Sequence, residues 1–308
     1  MYISIAVLIG IAVLILYTSY IVYRKIFARN RKEPENLFKG LEGNLEGIKK
    51  IRREFIEQTL KIPLDPVTLT ARDGKKLYGR YYRTKDDAPV AILFHGYRSM
   101  GIRDFSGLVN ELITLGHNII IADQRAHGKS EGKVISFGIN ERFDVISWCE
   151  YAMSEFGTEV KIILFGMSMG AASVLMASEL DLPENVVGIV ADCPFSSPKA
   201  IIKKVLRDKK LPPALSYPFA WLGAALFGGF NLGSASAEEA VSNTDIPILL
   251  IHGEEDKLVP CYMGEAIAKN GATVTFLKFK DATHCTSILY DKEGYVNSIK
   301  NFIYKAIN

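Results

Sequence analysis

At 308 residues, with 48% apolar and 23% charged side chains, the chain has length for one large core or two modest ones and excludes a disordered protein. Its net charge of +3 is small and the basic residues gather near the N-terminus, so the rest of the chain carries no nucleic-acid footprint. The four cysteines, Cys149, Cys193, Cys261 and Cys285, have neither zinc spacing nor disulfide density, and read as free, mostly buried thiols of a reducing compartment.

Residues 2–23 contain no charged side chain and are dominated by Ile, Leu, Val and Ala. About 22 residues rising about 1.5 Å each give roughly 33 Å, enough to cross a hydrocarbon core. Tyr17, Tyr20 and Tyr23 suit an interfacial belt. A removable signal peptide needs a basic region before a shorter apolar core, and neither is present. Arg24, Lys25, Arg29, Arg31 and Lys32 follow at once. Under the positive-inside rule they stay cytoplasmic, so the expectation is a single-pass anchor in the cell membrane with the body of the protein in the cytoplasm.

Residues 24–65 read as a juxtamembrane linker, basic and then helical. From about residue 36 to residue 60, Ile48, Ile51, Phe55 and Ile56 recur at helical spacing beside Lys49, Lys50, Arg52 and Arg53. Such a helix either lies on anionic lipid or packs as a connector on the main domain. Pro63 and Pro66 end it.

From residue 66 onward strands and helices alternate. Residues 67–71 and 76–83, around Asp73-Gly74, predict a β-hairpin. Apolar strands are expected over 90–94, 118–122, 160–165, 186–190, 246–251 and 273–279, with helices over 105–115, 140–156, 262–269 and 292–307. This alternation predicts an α/β domain over 66–308, with a mostly parallel sheet covered by helices on both faces. About fifty residues, 194–245, replace one short connection and include the apolar stretch 219–230. An insertion of that length has structure and a role of its own.

The chemistry centres on Phe165-Gly166-Met167-Ser168-Met169-Gly170, where a β-branched run stops at Gly-x-Ser-x-Gly and a small-residue helix begins. This is the strand, tight turn and helix of a nucleophile elbow, with Ser168 exposed on the turn and glycines where side chains cannot fit. Serine acyl transfer also requires a base, an acid to orient it and donors for the developing oxyanion.

From residue 67 to the C-terminus the sequence resembles the α/β-hydrolase superfamily. The resemblance rests on four segments. They are the elbow, His95-Gly96-Tyr97, residues 123–130 (Asp-x-Arg-x-His-Gly-x-Ser), and the 252–260 segment matching His-Gly-x-x-Asp-x-x-Val-Pro. It implies the α/β-hydrolase fold, with residues 194–245 as a cap between the sixth and seventh strands. It also implies the chain order serine, acid, histidine. Ser168 is then the nucleophile, Asp256 the acid and His284 the base, His284 being the only histidine after Asp256. Glu254 and Glu255 share the chemistry of an acid but not the spacing, and Asp192 is an alternative in this fold. The oxyanion donors implied are the backbone N–H groups of Met169 and Tyr97. His95, His117, His127 and His252 are read as structural.

Among superfamily members the chain looks most like bacterial capped esterases, lysophospholipase-like proteins and serine aminopeptidase-like proteins. The expectation is a serine hydrolase of carboxylic esters, using no metal or cofactor, acting on a small-molecule or lipid ester at the membrane. A serine aminopeptidase, a peroxide-dependent perhydrolase and a catalytically idle binding protein are the alternatives. The apolar stretch 219–230 either shapes an acyl pocket or forms ordinary cap core.

Overall fold

The short apolar runs become strands because β-branched side chains suit a pleated surface covered on both faces. In the computed structural model, which describes residues 2–29, 36–41 and 46–308, the chain opens with α1 (Tyr2–Ile26) and α2 (Gly47–Thr59). Next come β1 (Asp65–Thr70), β2 (Lys76–Tyr82), β3 (Val90–Phe94), α3 (Gly101–Thr114), β4 (Asn118–Asp123), α4 (Glu141–Phe156), β5 (Ile162–Met167), α5 (Met169–Ala177) and β6 (Val186–Asp192). The insertion holds α6 (Pro198–Asp208), α7 (Pro213–Gly223) running into a π-turn (Ala224–Gly228), and α8 (Ala237–Ala240). β7 (Ile248–Gly253), α9 (Cys261–Asn270), β8 (Val274–Phe279), α10 (Ser287–Tyr290) and α11 (Lys292–Ile307) complete the chain. Arg31 and Lys32 of the basic run, and residues 42–45 of the expected linker helix, lie outside the described residues.

Among the described residues the sheet has eight strands, in the order β1-β2-β4-β3-β5-β6-β7-β8. The hairpin strands pair antiparallel, as do β2 and β4, and the remaining pairs are parallel. Alternation along each strand splits the core. Ile92, Phe94 and Leu164 face the layer holding Trp148, Val174, Met263 and the cap, whereas Leu93, Phe165 and Ile251 face the layer holding Leu112, Tyr295 and Ile303.

Two expectations need correction. The helix expected from residue 36 begins only at Gly47, and residues 37–40 form turns before it. It is a packed connector: Thr59 Oγ donates to the Ser106 carbonyl at 3.0 Å, Arg52 donates to the Cys285 carbonyl at 2.8 Å, and a Cβ on Gly107 would sit 2.8 Å from the Phe55 ring. The boundary expected at residue 24 also fails to divide anchor from body. Phe27 is fully buried and lies edge-on to Phe137 and Phe230, and Ala28 bridges to Val134. Arg98 donates to the carbonyls of Lys25 and Ala28, and Arg29 to those of Ser130 and Gly128. The last turn of α1 and the residues after it therefore belong to the folded body.

Candidate active site

Parallel strands deliver their C-terminal ends to one edge of the sheet, where ligands of open α/β sheets sit. Ser168 follows β5 directly, with φ 54° and ψ −112°. That left-handed backbone costs a non-glycine residue about 1–3 kcal/mol and persists only where its surroundings enforce it. Here the Ser168 N–H is held by the Asp192 carbonyl at 2.8 Å, and Ala172 N–H closes back onto the Ser168 carbonyl at 3.0 Å. The flanking glycines answer to space. A Cβ on Gly166 would strike the Ala171 backbone, and one on Gly170 would strike the carbonyls of Phe94 and His95.

His284, in the loop after β8, reaches the serine: its Nε2 stands 2.9 Å from Ser168 Oγ. Its Nδ1 stands 2.6 Å from Asp256 Oδ2, in the loop after β7. Asp256 uses its other oxygen separately, accepting the N–H groups of Leu258 at 2.9 Å and Val259 at 2.8 Å. An acceptor-only carboxylate at Nδ1 fixes the imidazole proton there, leaving Nε2 to accept from the Ser168 hydroxyl. Burial works against the Asp256 carboxylate, but His252 and His284, with the Val259 N–H, outweigh it and hold its carboxyl well below the usual range. For His284, burial disfavours the cation, and the Cys285 sulfur together with Asp256 overcomes it, so the imidazole is raised above its ordinary value.

The loop after β3 passes close to the serine. A Cβ on Gly96 would be 3.4 Å from Ser168 Cβ and 3.6 Å from the Met167 carbonyl. Asp104, in the first turn of α3, ties this loop down: its carboxylate accepts the Gly96 N–H at 2.8 Å and the Ser99 hydroxyl at 2.6 Å. Tyr97 comes next, and its hydroxyl donates to the Ile26 carbonyl at the end of α1 across 2.7 Å. Met169 opens α5, where unpaired N–H groups and the helix dipole favour negative charge. When the His284 imidazole is neutral, the serine oxygen it backs, with N–H groups of a loop and a helix N-terminus nearby, can add to a carbonyl and stabilise the oxyanion.

The remaining candidates fall elsewhere. Asp192 lies under the serine but pairs with the Tyr295 hydroxyl at 3.0 Å, and burial raises its carboxyl to about 6. His252 is buried with Nε2 2.7 Å from the Val259 carbonyl, so it supports the loop that carries Asp256. His95 lies 2.8 Å from the Gly96 carbonyl through Nδ1 and accepts the Gln124 N–H at 3.2 Å. His127 accepts the Arg98 N–H at 2.9 Å, and burial followed by the adjacent His95 pushes its imidazole down to about 3. His117 is buried away from the site.

Asp104 and the cysteine pair escaped the sequence reading. Cys193 follows Asp192, Cys285 follows His284, and their sulfurs lie 3.3 Å apart. Nothing in their spacing announces this contact, which depends on β6 and β8 presenting adjacent loops. The sulfurs and the His284 ring form a tight group, but both ring nitrogens already serve Asp256 and Ser168.

The chain is similar in sequence and fold to several known proteins. The family described as "Serine aminopeptidase, S33" matches residues 86–232, and "Phospholipase/Carboxylesterase" matches residues 210–307. The uncharacterized protein YqkD of Bacillus subtilis is 24% identical over 75% of this chain and 76% of its own length. Protein bem46 of Schizosaccharomyces pombe is 24% identical over 96% of this chain and 89% of its own. The lysophosphatidylserine lipase ABHD12 of Danio rerio is 23% identical over 70% of this chain and 58% of its own. Among solved structures, the Pyrococcus furiosus esterase Pf2001 superposes with a TM-score of 0.64 at 23% identity, covering 88% of this chain and 96% of that one. Est1E of Butyrivibrio proteoclasticus, with ferulic acid bound, has a TM-score of 0.59 at 21% identity over 78% of this chain and 99% of its own.

Proposed function

Because the chain belongs to the α/β-hydrolase superfamily, we propose that it is a membrane-anchored serine hydrolase cleaving carboxylic esters of hydrophobic or membrane-derived substrates. One observation carries the reading: Ser168 Oγ, the His284 ring and the Asp256 carboxylate stand in a hydrogen-bonded line, with links of 2.9 and 2.6 Å.

In the mechanism His284 Nε2 takes the Ser168 proton as Ser168 Oγ adds to the ester carbonyl. The N–H groups of Tyr97 and Met169 receive the oxyanion. Collapse expels the alcohol, which takes the proton from His284 and leaves an acyl group on Ser168. Water then attacks with His284 as base, the acid departs, and the serine is restored. Asp256 keeps the imidazole proton on Nδ1 throughout. The chemistry asks for no metal or organic cofactor.

The membrane part of the reading rests on α1. Its segment Ile5–Ile26 has a mean hydropathy of 2.5 and is long enough to cross a bilayer. The basic residues that follow it, Arg24, Lys25 and Arg29, support a catalytic body on the cytoplasmic side under the positive-inside rule. Protease accessibility in intact cells tests that side: cleavage of the body from outside would reverse it.

The ester preference draws support from similar proteins, among them an esterase and a lysophosphatidylserine lipase. The partial match to the serine aminopeptidase description keeps a peptidase as the second reading. Turnover of a p-nitrophenyl ester series of increasing acyl length, beside aminoacyl p-nitroanilides, separates them. Hydrolysis of the esters, strengthening with acyl length, is expected. Cleavage of the amides with no ester turned over would transfer the protein to the peptidases.

A further inference from the structure

The cap contains a helix of unusual composition. Residues 213–228, α7 and its π-turn, carry no charged side chain at all. One face is buried through Ala220, Gly223 and Ala224. The opposite face presents Ala214, Leu215, Pro218 and Trp221 to the exterior, followed by Leu226 and Phe227 on the turn. Leu215 is 72% exposed, Leu226 56% and Trp221 46%. A surface helix of a water-soluble body turns polar residues outward, and a helix apolar on every side is buried in protein or lipid.

The position of α7 says which. It packs on the C-terminal turns of α1 through a small residue: a Cβ on Gly223 would stand 2.6 Å from the Ser19 carbonyl and 3.3 Å from Tyr23 Cβ. Close approach across a small residue is how helices associate inside bilayers. Tyr20 and Tyr23 add ring contacts to Phe227 at 5.2 and 5.9 Å.

The end of the apolar run sets the depth. Residues 5–17 of α1 are exposed throughout. The uncharged run continues through residues 18–23, the turns that α7 covers, so these belong to the apolar span as well. Arg24 and Lys25, both exposed, mark the level at which the hydrocarbon ends. Arg207, Lys209 and Lys210 are exposed at the end of α6, just before α7 begins, and suit the anionic surface of the same leaflet.

We infer that α7 and its π-turn are a second membrane-contacting element, seated in the interfacial layer of the leaflet into which the C-terminal end of α1 emerges. The inference rests on the reading of α1 as a membrane span. It also extends the proposed function. The cap would meet the bilayer directly, and the Tyr97 loop, tied to the Ile26 carbonyl, would lie at the same level. Substrate would then be drawn from esters resident in that leaflet.

Intrinsic fluorescence tests this without activity. The chain has two tryptophans, Trp148 fully buried in the body and Trp221 exposed on α7. The full chain is reconstituted into phosphatidylcholine–phosphatidylglycerol vesicles, with and without lipid brominated near the headgroup end of its acyl chains. Bromolipid is expected to quench roughly half of the emission, aqueous iodide to quench little, and Trp221→Phe to abolish the bromolipid effect. Carbonate-resistant membrane retention with Trp221 open to iodide and untouched by bromolipid would overturn the inference while leaving α1 as an anchor. Shielding from both quenchers would place another protein surface on α7 and equally overturn it. Loss of membrane retention would remove the anchor reading and the inference together. Ester turnover in detergent reports separately on the serine-hydrolase reading.

Discussion

Asp256→Asn is the substitution whose consequence the geometry dictates most tightly. The side chain is isosteric, so the loop can keep its shape. Oδ1 of Asp256 already accepts two backbone N–H groups, from Leu258 and Val259. In the variant the amide oxygen has to remain there, because an NH2 group cannot accept. The amide nitrogen is then turned toward His284 Nδ1, which has to accept instead of donate. The imidazole proton moves to Nε2, where it faces the Ser168 hydroxyl and can no longer take its proton. A wrong tautomer of this kind costs about ten-thousandfold in kcat, roughly 5 kcal/mol at about 1.36 kcal/mol per tenfold. Steady-state hydrolysis of a soluble p-nitrophenyl ester measures the loss. The expected result is a collapse of kcat with KM and thermal stability little changed. Retention of activity within tenfold of wild type would refute the reasoning and direct attention to Asp192, whose own change to Asn is expected to spare most turnover.

Three further outcomes are expected. Cys285→Ser removes a group that raises His284. The reaction needs the neutral imidazole, so lowering its pKa moves the acid limb of the kcat/KM profile to lower pH; an unmoved or upward-shifted limb contradicts this. Tyr97→Phe keeps the backbone N–H but frees the Ile26 carbonyl, a loss of about 0.5–1.5 kcal/mol. It should lower kcat about two- to tenfold with KM nearly constant, and an unchanged kcat would sever the loop from α1. Phe27→Ala opens a cavity at a fully buried ring and should destabilise the detergent-solubilised protein by about 3–5 kcal/mol in denaturant unfolding. A loss under about 1 kcal/mol would make the end of α1 a tether and not a part of the core.

The sheet was legible because each parallel strand is a short β-branched run between helical patterns. The expected edges of β3, β4 and β8 fall within a residue of those observed. α11 was legible to its ends. α3 was read late, from residue 105, because Gly101-Ile102-Arg103-Asp104 lacks apolar periodicity and forms its turn around the contacts of Asp104. The geometry joining Ser168, Asp256 and His284 was accessible because each residue sits in a short motif at the end of a strand. The Cys193–Cys285 contact and the Tyr97–Ile26 bond were not, since each pairs residues far apart in the chain whose local sequence is ordinary. The docking of α7 on α1 was hidden for the same reason. An apolar stretch over 219–230 reads alike whether its partner is a core, an acyl chain or another helix.

The central claim is that Ser168 is the acylated nucleophile. Treating the full chain with a fluorophosphonate and mapping the adduct by peptide mass tests it most directly. One adduct is expected, on Ser168, blocked by prior incubation with a turned-over ester and absent from Ser168→Ala, which also loses ester hydrolysis. An adduct on another residue, or undiminished hydrolysis by Ser168→Ala, would contradict it.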